Sequence, residues 1–264
     1  MGEEIVHIIP LGYEIDRAVK PFEKYKANRV YILSIIDTFG KYSPEMTQRQ
    51  KYYVDAVSSR LKSYGIEVIV KNVDMFEILE VIRHISNIIF TEKAEGNTVY
   101  VNISSGGRLT SVAAYLAAMA HDAKAYYVVA DRYASTEDEK LEHGLSICEK
   151  LRVNFLENFK LQLPRENEMK VLVKLCREGK SMKTTDIIEY LASEGVRGFE
   201  NCADMRSRKI PRKQKINCLM KLNKAILAKL EANGYIEREK TGRYNEIKIT
   251  HAGKYVAYIS GFLK

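Results

Sequence analysis

Five short runs of β-branched and other apolar residues, at 5–10, 29–36, 66–70, 99–103 and 125–130, alternate with helix-length segments. Each run is short and continuously apolar, which predicts strands buried on both faces rather than strands with one wet face. Strands alternating with helices form βαβ units, and right-handed crossovers then give a Rossmann-like, doubly wound parallel sheet. The intervening helices are expected over 14–26, 44–64, 74–90 and 107–121, the second opened by Ser43-Pro44 and the third capped by Asp74.

Ligands of such sheets bind beyond the carboxyl ends of the strands, near the switch in strand order. That edge gathers Leu11-Gly12-Tyr13-Glu14, Ile36-Asp37-Thr38, Asn72-Val73-Asp74, Asp131 and the run from Asn102 through Ser104, Ser105, Gly106, Gly107 and Arg108 to Thr110. A strand ending in small hydroxylated residues and a glycine pair, then turning into a helix, builds an anion cradle. The glycines admit a ligand close to the backbone, and the helix start offers free N–H groups. Arg108 adds a planar, permanently charged donor suited to phosphate. Three plainer readings stand beside this one: the glycines only shape a tight turn, Tyr13 only lines its loop, and Asn102 only orients its turn. No G-x-G-x-x-G follows the first run and no G-x-x-x-x-G-K-[ST] occurs, which disfavours nicotinamide, flavin and P-loop chemistry; no cofactor is expected.

The chain has 264 residues, enough for two domains, and no apolar run approaches the ~18 residues of a membrane span. A cytoplasmic protein without membrane contact is expected, with its four widely spaced cysteines, Cys148, Cys176, Cys202 and Cys218, reduced and no metal site. Net charge is +8, but residues 164–264 carry 22 Lys and Arg against 12 Asp and Glu, a net +10, while residues 1–163 carry 20 against 22. All of the excess positive charge lies in the C-terminal part, which points to a polyanionic partner there.

Pro164 marks the expected boundary between a sensing domain, 1–163, and a DNA-binding domain, 164–264. Residues 131–143 read as an exposed loop and 151–163 as an extended segment leaving the sheet. Beyond Pro164, one helix is carried by the stripe Met169, Leu172, Val173 and Cys176, and a second is capped by Thr184 or Thr185 and runs through Leu191. A third is expected over 215–232, with Ile216, Leu219, Met220, Ile226, Leu227 and Leu230 inward and Asn217, Lys221 and Lys224 opposite. Two short alternating segments around Lys240-Thr241-Gly242-Arg243 then predict a β-hairpin, followed by a last helix. Three helices and a basic-tipped hairpin describe a winged helix-turn-helix, whose third helix enters the major groove while the wing meets the backbone. The basic stretch 195–215, with Arg197, Arg206, Arg208, Lys209, Arg212, Lys213 and Lys215, is either a solvated loop or an extra phosphate-contacting arm.

The run Leu230-Glu231-Ala232-Asn233-Gly234-Tyr235-Ile236-Glu237-Arg238 and the later Ile249-Thr250-His251-Ala252-Gly253 resemble winged-helix regulators of the multiple-antibiotic-resistance type. The opening I-V-H-I-I-P-L-G-Y-E-I-D-R and the loop Asn102-Ile103-Ser104-Ser105-Gly106-Gly107-Arg108-Leu109-Thr110-Ser111 resemble the CRISPR-associated Rossmann-fold (CARF) sensors of archaeal winged-helix regulators. That resemblance implies a homodimer binding a cyclic oligoadenylate, often the tetra-adenylate. Its ligand loops map onto Leu11, Gly12, Tyr13 and Glu14, and onto Asn102, Ser104, Ser105, Gly106, Gly107, Arg108 and Thr110; Asp37 is added from the strand-end loops. Tyr13 can stack on adenine, and the serine and threonine hydroxyls can donate to phosphate or ribose. The function expected is a ligand-responsive regulator that binds double-stranded DNA through Arg212, Lys213, Lys215, Asn217, Lys221, Lys224, Lys240 and Arg243. Two alternatives are a ring nuclease using Ser105 and Arg108, and a winged helix that docks protein instead of DNA.

Overall fold

The first apolar run forms β1 (Ile5–Pro10), buried along nearly its whole length as a strand covered on both faces must be. There follow α1 (Asp16–Val19), β2 (Arg29–Ser34), α2 (Pro44–Ser63), β3 (Glu67–Asn72), α3 (Ile78–Ala94), β4 (Thr98–Asn102), α4 (Arg108–Ala120) and β5 (Lys124–Val128). These strands lie in the order β3-β2-β1-β4-β5 with every pair parallel. The strand order therefore reverses between β1 and β4, the switch point of a doubly wound sheet. Next come β6 (Arg132–Tyr133), α5 (Glu137–His143) and β7 (Ser146–Ile147), and β8 (Val153–Leu156) returns antiparallel along β5 to close that edge.

The computed structural model describes residues 2–36, 40–207, 210–241 and 244–263, and the chain divides into two units, 1–161 and 162–263. Asp37, Arg208, Lys209, Arg243 and the side chain of Lys240 lie outside the described residues. On one face of the sheet, Tyr53, Val54, Val57 and Leu61 of α2 pack with Ile9, Val30 and Ile32. α3 and α4 pack on each other, and α4 also meets β1, β4 and β5. Its buried Ala113, Ala114, Ala117 and Ala118 let the helix come close to the strands.

Three local expectations change. Helix 14–26 shrinks to α1 plus a 3-10 turn, Lys20–Glu23, where Pro21 cannot supply a helical N–H. The third helix starts at Ile78, because the Asp74 carboxylate accepts the Phe76 N–H and pairs with Lys41 and Tyr42, holding a turn. The stretch 131–143 is not a loop: Thr136 and Glu139 form a reciprocal capping box that starts α5.

The second unit contains α6 (Glu166–Glu178), β9 (Met182–Lys183), α7 (Thr184–Ser193), α8 (Arg212–Leu222), a π-helical turn (Asn223–Leu227), α9 (Ala228–Ala232), β10 (Ile236–Thr241), β11 (Tyr244–Ile249) and α10 (His251–Ile259). β10, β11 and β9 form a small antiparallel sheet, and with the helices they make a winged helix domain. The core joins Leu172, Leu175, Ile187, Ile188, Leu191, Leu222, Ile226, Leu230 and Ile247. Lys183, not a threonine, is the N-cap of α7, and no side chain caps that helix.

Two further expectations are overturned here. Cys202 and Cys218 are joined in a disulfide, their Cα atoms 6.3 Å apart, so only Cys148 and Cys176 remain free thiols. A 3-10 turn, Glu200–Cys202, lies against α8 and brings together two cysteines 16 positions apart in sequence. The helix over 215–232 also does not turn its whole apolar stripe inward. Ile216, Leu219 and Met220 are exposed at 45%, 37% and 50%, while Cys218 and Leu222 face the core.

Candidate ligand cleft and nucleic-acid face

The switch point carries a cleft of about 350 Å³, lined by the β1–α1 loop, the β4–α4 loop, the loops after β2 and β3, α2 and Leu145. Leu11, Gly12, Tyr13, Glu14, Ser105, Gly106, Gly107, Arg108 and Thr110 all border it. The two loops are stitched together: the Gly12 N–H donates to the Ser105 carbonyl at 2.8 Å. Gly106 is closely packed: a Cβ there would stand 3.0 Å from Thr110 Cγ2 and 3.2 Å from the Pro10 carbonyl oxygen, so a neighbour would have to shift by a few tenths of an ångström.

The hydroxyls divide sharply. Ser104 Oγ donates to Asn102 Oδ1 and accepts the Val128 N–H, and Thr110 Oγ1 donates to the Met75 carbonyl. Both are spent on the loop itself. Ser105 Oγ is fully buried with no hydrogen-bond partner. A buried polar atom without a protein partner is costly, so one bordering a cleft is available to a water or a ligand atom.

Asn102 is buried and does not reach the cleft. Its Oδ1 accepts from Ser104 N–H at 2.8 Å and its Nδ2 donates to the Arg17 carbonyl at 2.8 Å. Arg17 closes the circuit, its guanidinium donating to the Ser104 carbonyl and to the Tyr127 hydroxyl. The Asn102–Ser104 turn is thus held from two sides by one residue of α1.

Arg108 is exposed at the first position of α4 and has no acidic partner among the described residues. Gly107 caps that helix without a side-chain bond, so the amides of the first turn point outward unpaired. Unpaired amides, an exposed guanidinium and a buried hydroxyl without a protein partner together suit an anionic, oxygen-rich ligand chemically.

Tyr13 borders the cleft, but its ring already stacks on Tyr53, with centroids 5.1 Å apart, and carries the Arg49 guanidinium 5.1 Å from its centroid. Glu14 turns away to Ser146, accepting from its N–H at 3.0 Å and its hydroxyl at 2.6 Å. Burial pushes the Glu14 carboxyl up to about 7, against the lowering pull of Ser146 and Arg17. The folded state therefore holds a proton there that the unfolded chain releases near pH 4.5, so this group's stabilisation is complete in acid and is lost as pH rises through 7. Glu14→Gln should remove about 2.5 kcal/mol of stability loss between pH 5 and pH 8, read as the difference between wild-type and variant denaturation curves across that range. His7 works in the opposite sense: burial lowers it to about 4, so its contribution is lost on acidification.

Six cleft residues, Ile35, Met46, Gln50, Met75, Phe76 and Leu145, had no signal in the loop motifs. Gln50 of α2 donates to the Leu11 and Gly12 carbonyls and fixes the first loop. Met46, Met75 and Phe76 complete the wall, with Phe76 58% exposed. They come from sequence-distant segments, and only the winding of the sheet assembles them. Among the described residues no group of His, Cys, Asp and Glu could hold a metal, and no helix is long and apolar enough to cross a membrane.

On the winged helix domain, Arg212, Lys213, Asn217 and Lys224 are exposed along α8 and the π-helical turn, and Lys215 is half-buried. Lys221 is engaged, its Nζ donating to the Gly198 carbonyl at 3.0 Å. With Gln214, whose amide reaches the Asn201 carbonyl, and the Cys202–Cys218 bridge, it ties residues 198–202 along one flank of α8.

Residues 5–133 match the family model described as HFX_2341_N-like, N-terminal, and residues 167–261 match the DUF6293 C-terminal winged helix domain. An uncharacterized protein of Methanocaldococcus jannaschii is 23% identical over 210 residues, covering 72% of this chain and 61% of that protein. Similar solved structures include Can2 from Sulfobacillus thermosulfidooxidans in complex with cyclic tetra-adenylate, with TM-score 0.39 and 15% identity over 97% of this chain and 61% of that one. Another is Enterococcus italicus Csm6 bound to cyclic hexa-2′-fluoro-hexa-dAMP, with TM-score 0.39 and 16% identity over 88% of this chain and 57% of that one. The chain spans about three fifths of the length of these relatives.

Proposed function

We propose that the protein is a dimeric regulator that senses a cyclic oligoadenylate, the tetra-adenylate foremost, and binds double-stranded DNA through its winged helix. The sensing part is 1–163 and the DNA-binding part 164–264. The observation that carries the ligand half is the cleft at the β1/β4 switch point, where buried Ser105 Oγ, the open N-terminus of α4 and unpaired Arg108 converge. The ligand class follows from the chemistry of that convergence and from the two loop motifs that line it.

A cleft of about 350 Å³ holds a nucleotide-sized fragment, so a ring of four nucleotides extends beyond one copy and meets the same cleft in a second. Each Arg108 then faces a phosphate on its own side of the ring. Ligand shared across the dimer changes the relation between the two DNA-binding parts, and ligand and DNA affinities become reciprocally coupled.

Calorimetric titration of the full chain with cyclic tetra-adenylate tests this directly. One ring per two chains is expected, with Arg108→Ala binding about tenfold more weakly through loss of a charge-assisted contact. No heat of binding for any cyclic oligoadenylate, or equal duplex affinity with and without the ring, would overturn the proposal. Chromatography of the titrated ligand shows whether the ring survives or is cleaved.

A further inference from the structure

Residues 205–230 carry nine Lys and Arg and no Asp or Glu, and α8 lies inside this run. At 100° per residue, Lys213, Ile216, Met220 and Lys224 fall on the side of the helix opposite core-facing Cys218 and Leu222, with Asn217 beside them. Residues 198–202 are tied to a different flank, through Gln214, Cys218 and Lys221, while Ile216, Asn217 and Met220 stay exposed. The middle of the face is therefore apolar and amide in character, with cations only at its ends.

That arrangement has a direct reading in base chemistry. Arg and Lys are the readers of guanine, but none stands between Lys213 and Lys224 on this face: Lys215 is half-buried on the core side and Lys221 is tied to the Gly198 carbonyl. Apolar side chains contact the thymine C5-methyl group, and asparagine bonds adenine N6 and N7 together. We propose that α8 selects A·T base pairs at the centre of its half-site, with Ile216 and Met220 against thymine methyls and Asn217 on adenine. The flanking cations meet phosphate and set affinity without reading sequence. This rests on the duplex-binding reading above. A docked protein is the competing occupant, and the absence of acid from the 205–230 run favours the nucleic acid.

The test selects duplexes from a random library with the full chain, then rebuilds the selected site with deoxyuridine in place of thymidine, which deletes only the methyl group. The expected result is an A·T centre and about fourfold weaker binding for each contacted methyl removed, the worth of one buried CH₂ group. Ile216→Ala and Met220→Ala should abolish that thymidine-over-deoxyuridine preference. Far-UV circular dichroism and thermal unfolding of both variants should match the wild type, which confirms that they fold. A G·C centre, or no cost of deoxyuridine, overturns the inference and leaves DNA binding standing. Absence of any salt-dependent duplex binding overturns the DNA reading itself, and this inference with it.

Discussion

Gly253→Ala is expected to destabilise the winged helix domain by about 3 kcal/mol or more, at the top of the range for overpacking. A Cβ at this position would sit 2.1 Å from the Tyr235 carbonyl oxygen and 2.8 Å from Ile249 Cγ1. The carbonyl cannot give way. It accepts the Thr250 N–H, while Thr250 Oγ1 donates to the Gly234 carbonyl and caps α10 by accepting the Gly253 N–H at 3.0 Å. One glycine thus lets the last helix cross the backbone entering β10, and moving either element breaks a cap worth about 1 kcal/mol as well. Thermal unfolding read beside duplex binding checks this: the melting temperature and DNA affinity should fall together. An unchanged melting curve would show that the junction is looser than its geometry.

The parallel sheet was legible because β1, β2 and β4 are short, largely buried runs rich in β-branched and aromatic residues that alternate with helix-length segments. The ends of the elements were less so. Asp74 looks like a helix cap in sequence, but it has a stronger use in holding Lys41, Tyr42 and the Phe76 amide. The α5 capping box could have been read from Thr136 and Glu139, yet the surrounding residues are so polar that no buried stripe announces a helix. In α8 both faces carry apolar residues, so the stripe alone could not say which half is core. Packing against Ile187 and Leu191 selects Leu222 and leaves Ile216, Leu219 and Met220 outside. The disulfide was invisible for a different reason: sequence spacing says nothing about a turn folded back onto a helix.

Within the cleft, sequence could nominate oxygen atoms but not say which were already spoken for. Ser104, Ser105 and Thr110 are chemically alike in the motif, and only the folded loop shows that two of the three are bonded internally. Gly106 is the opposite case, since its backbone runs so close to Thr110 and Pro10 that a larger residue would have to push a neighbour aside. Tyr13 and Glu14 follow the first strand as expected, but neighbours from α2 and β7 claim one ring face or carboxylate each. Such claims arise from residues more than thirty positions away and leave no local pattern.

Asn102→Ala should cost about 4 kcal/mol and eliminate cyclic oligoadenylate binding, because the side chain is fully buried and holds the turn from inside. Alanine would strand the Ser104 N–H, the Ser104 hydroxyl and the Arg17 carbonyl, each without water to replace the amide. The loop would then lose its register with Gly12, and Ser105 and Arg108 would no longer converge. Asn102→Asp separates the parts, since it keeps the acceptor for Ser104 but removes the donor to Arg17 and buries a charge; it too should destabilise. The informative contrast is Ser105→Ala. Removing a buried hydroxyl without a protein partner costs the fold little and can raise its melting temperature, yet it takes away the contact proposed for the ligand. Binding of cyclic tetra-adenylate about tenfold weaker in a protein of equal or greater stability is the expected result, measured by calorimetry and thermal unfolding on the same sample. If Ser105→Ala binds as wild type while Asn102→Ala loses binding, the loop supports the site only through its shape, and the phosphate contacts fall to Arg108 and the α4 amides.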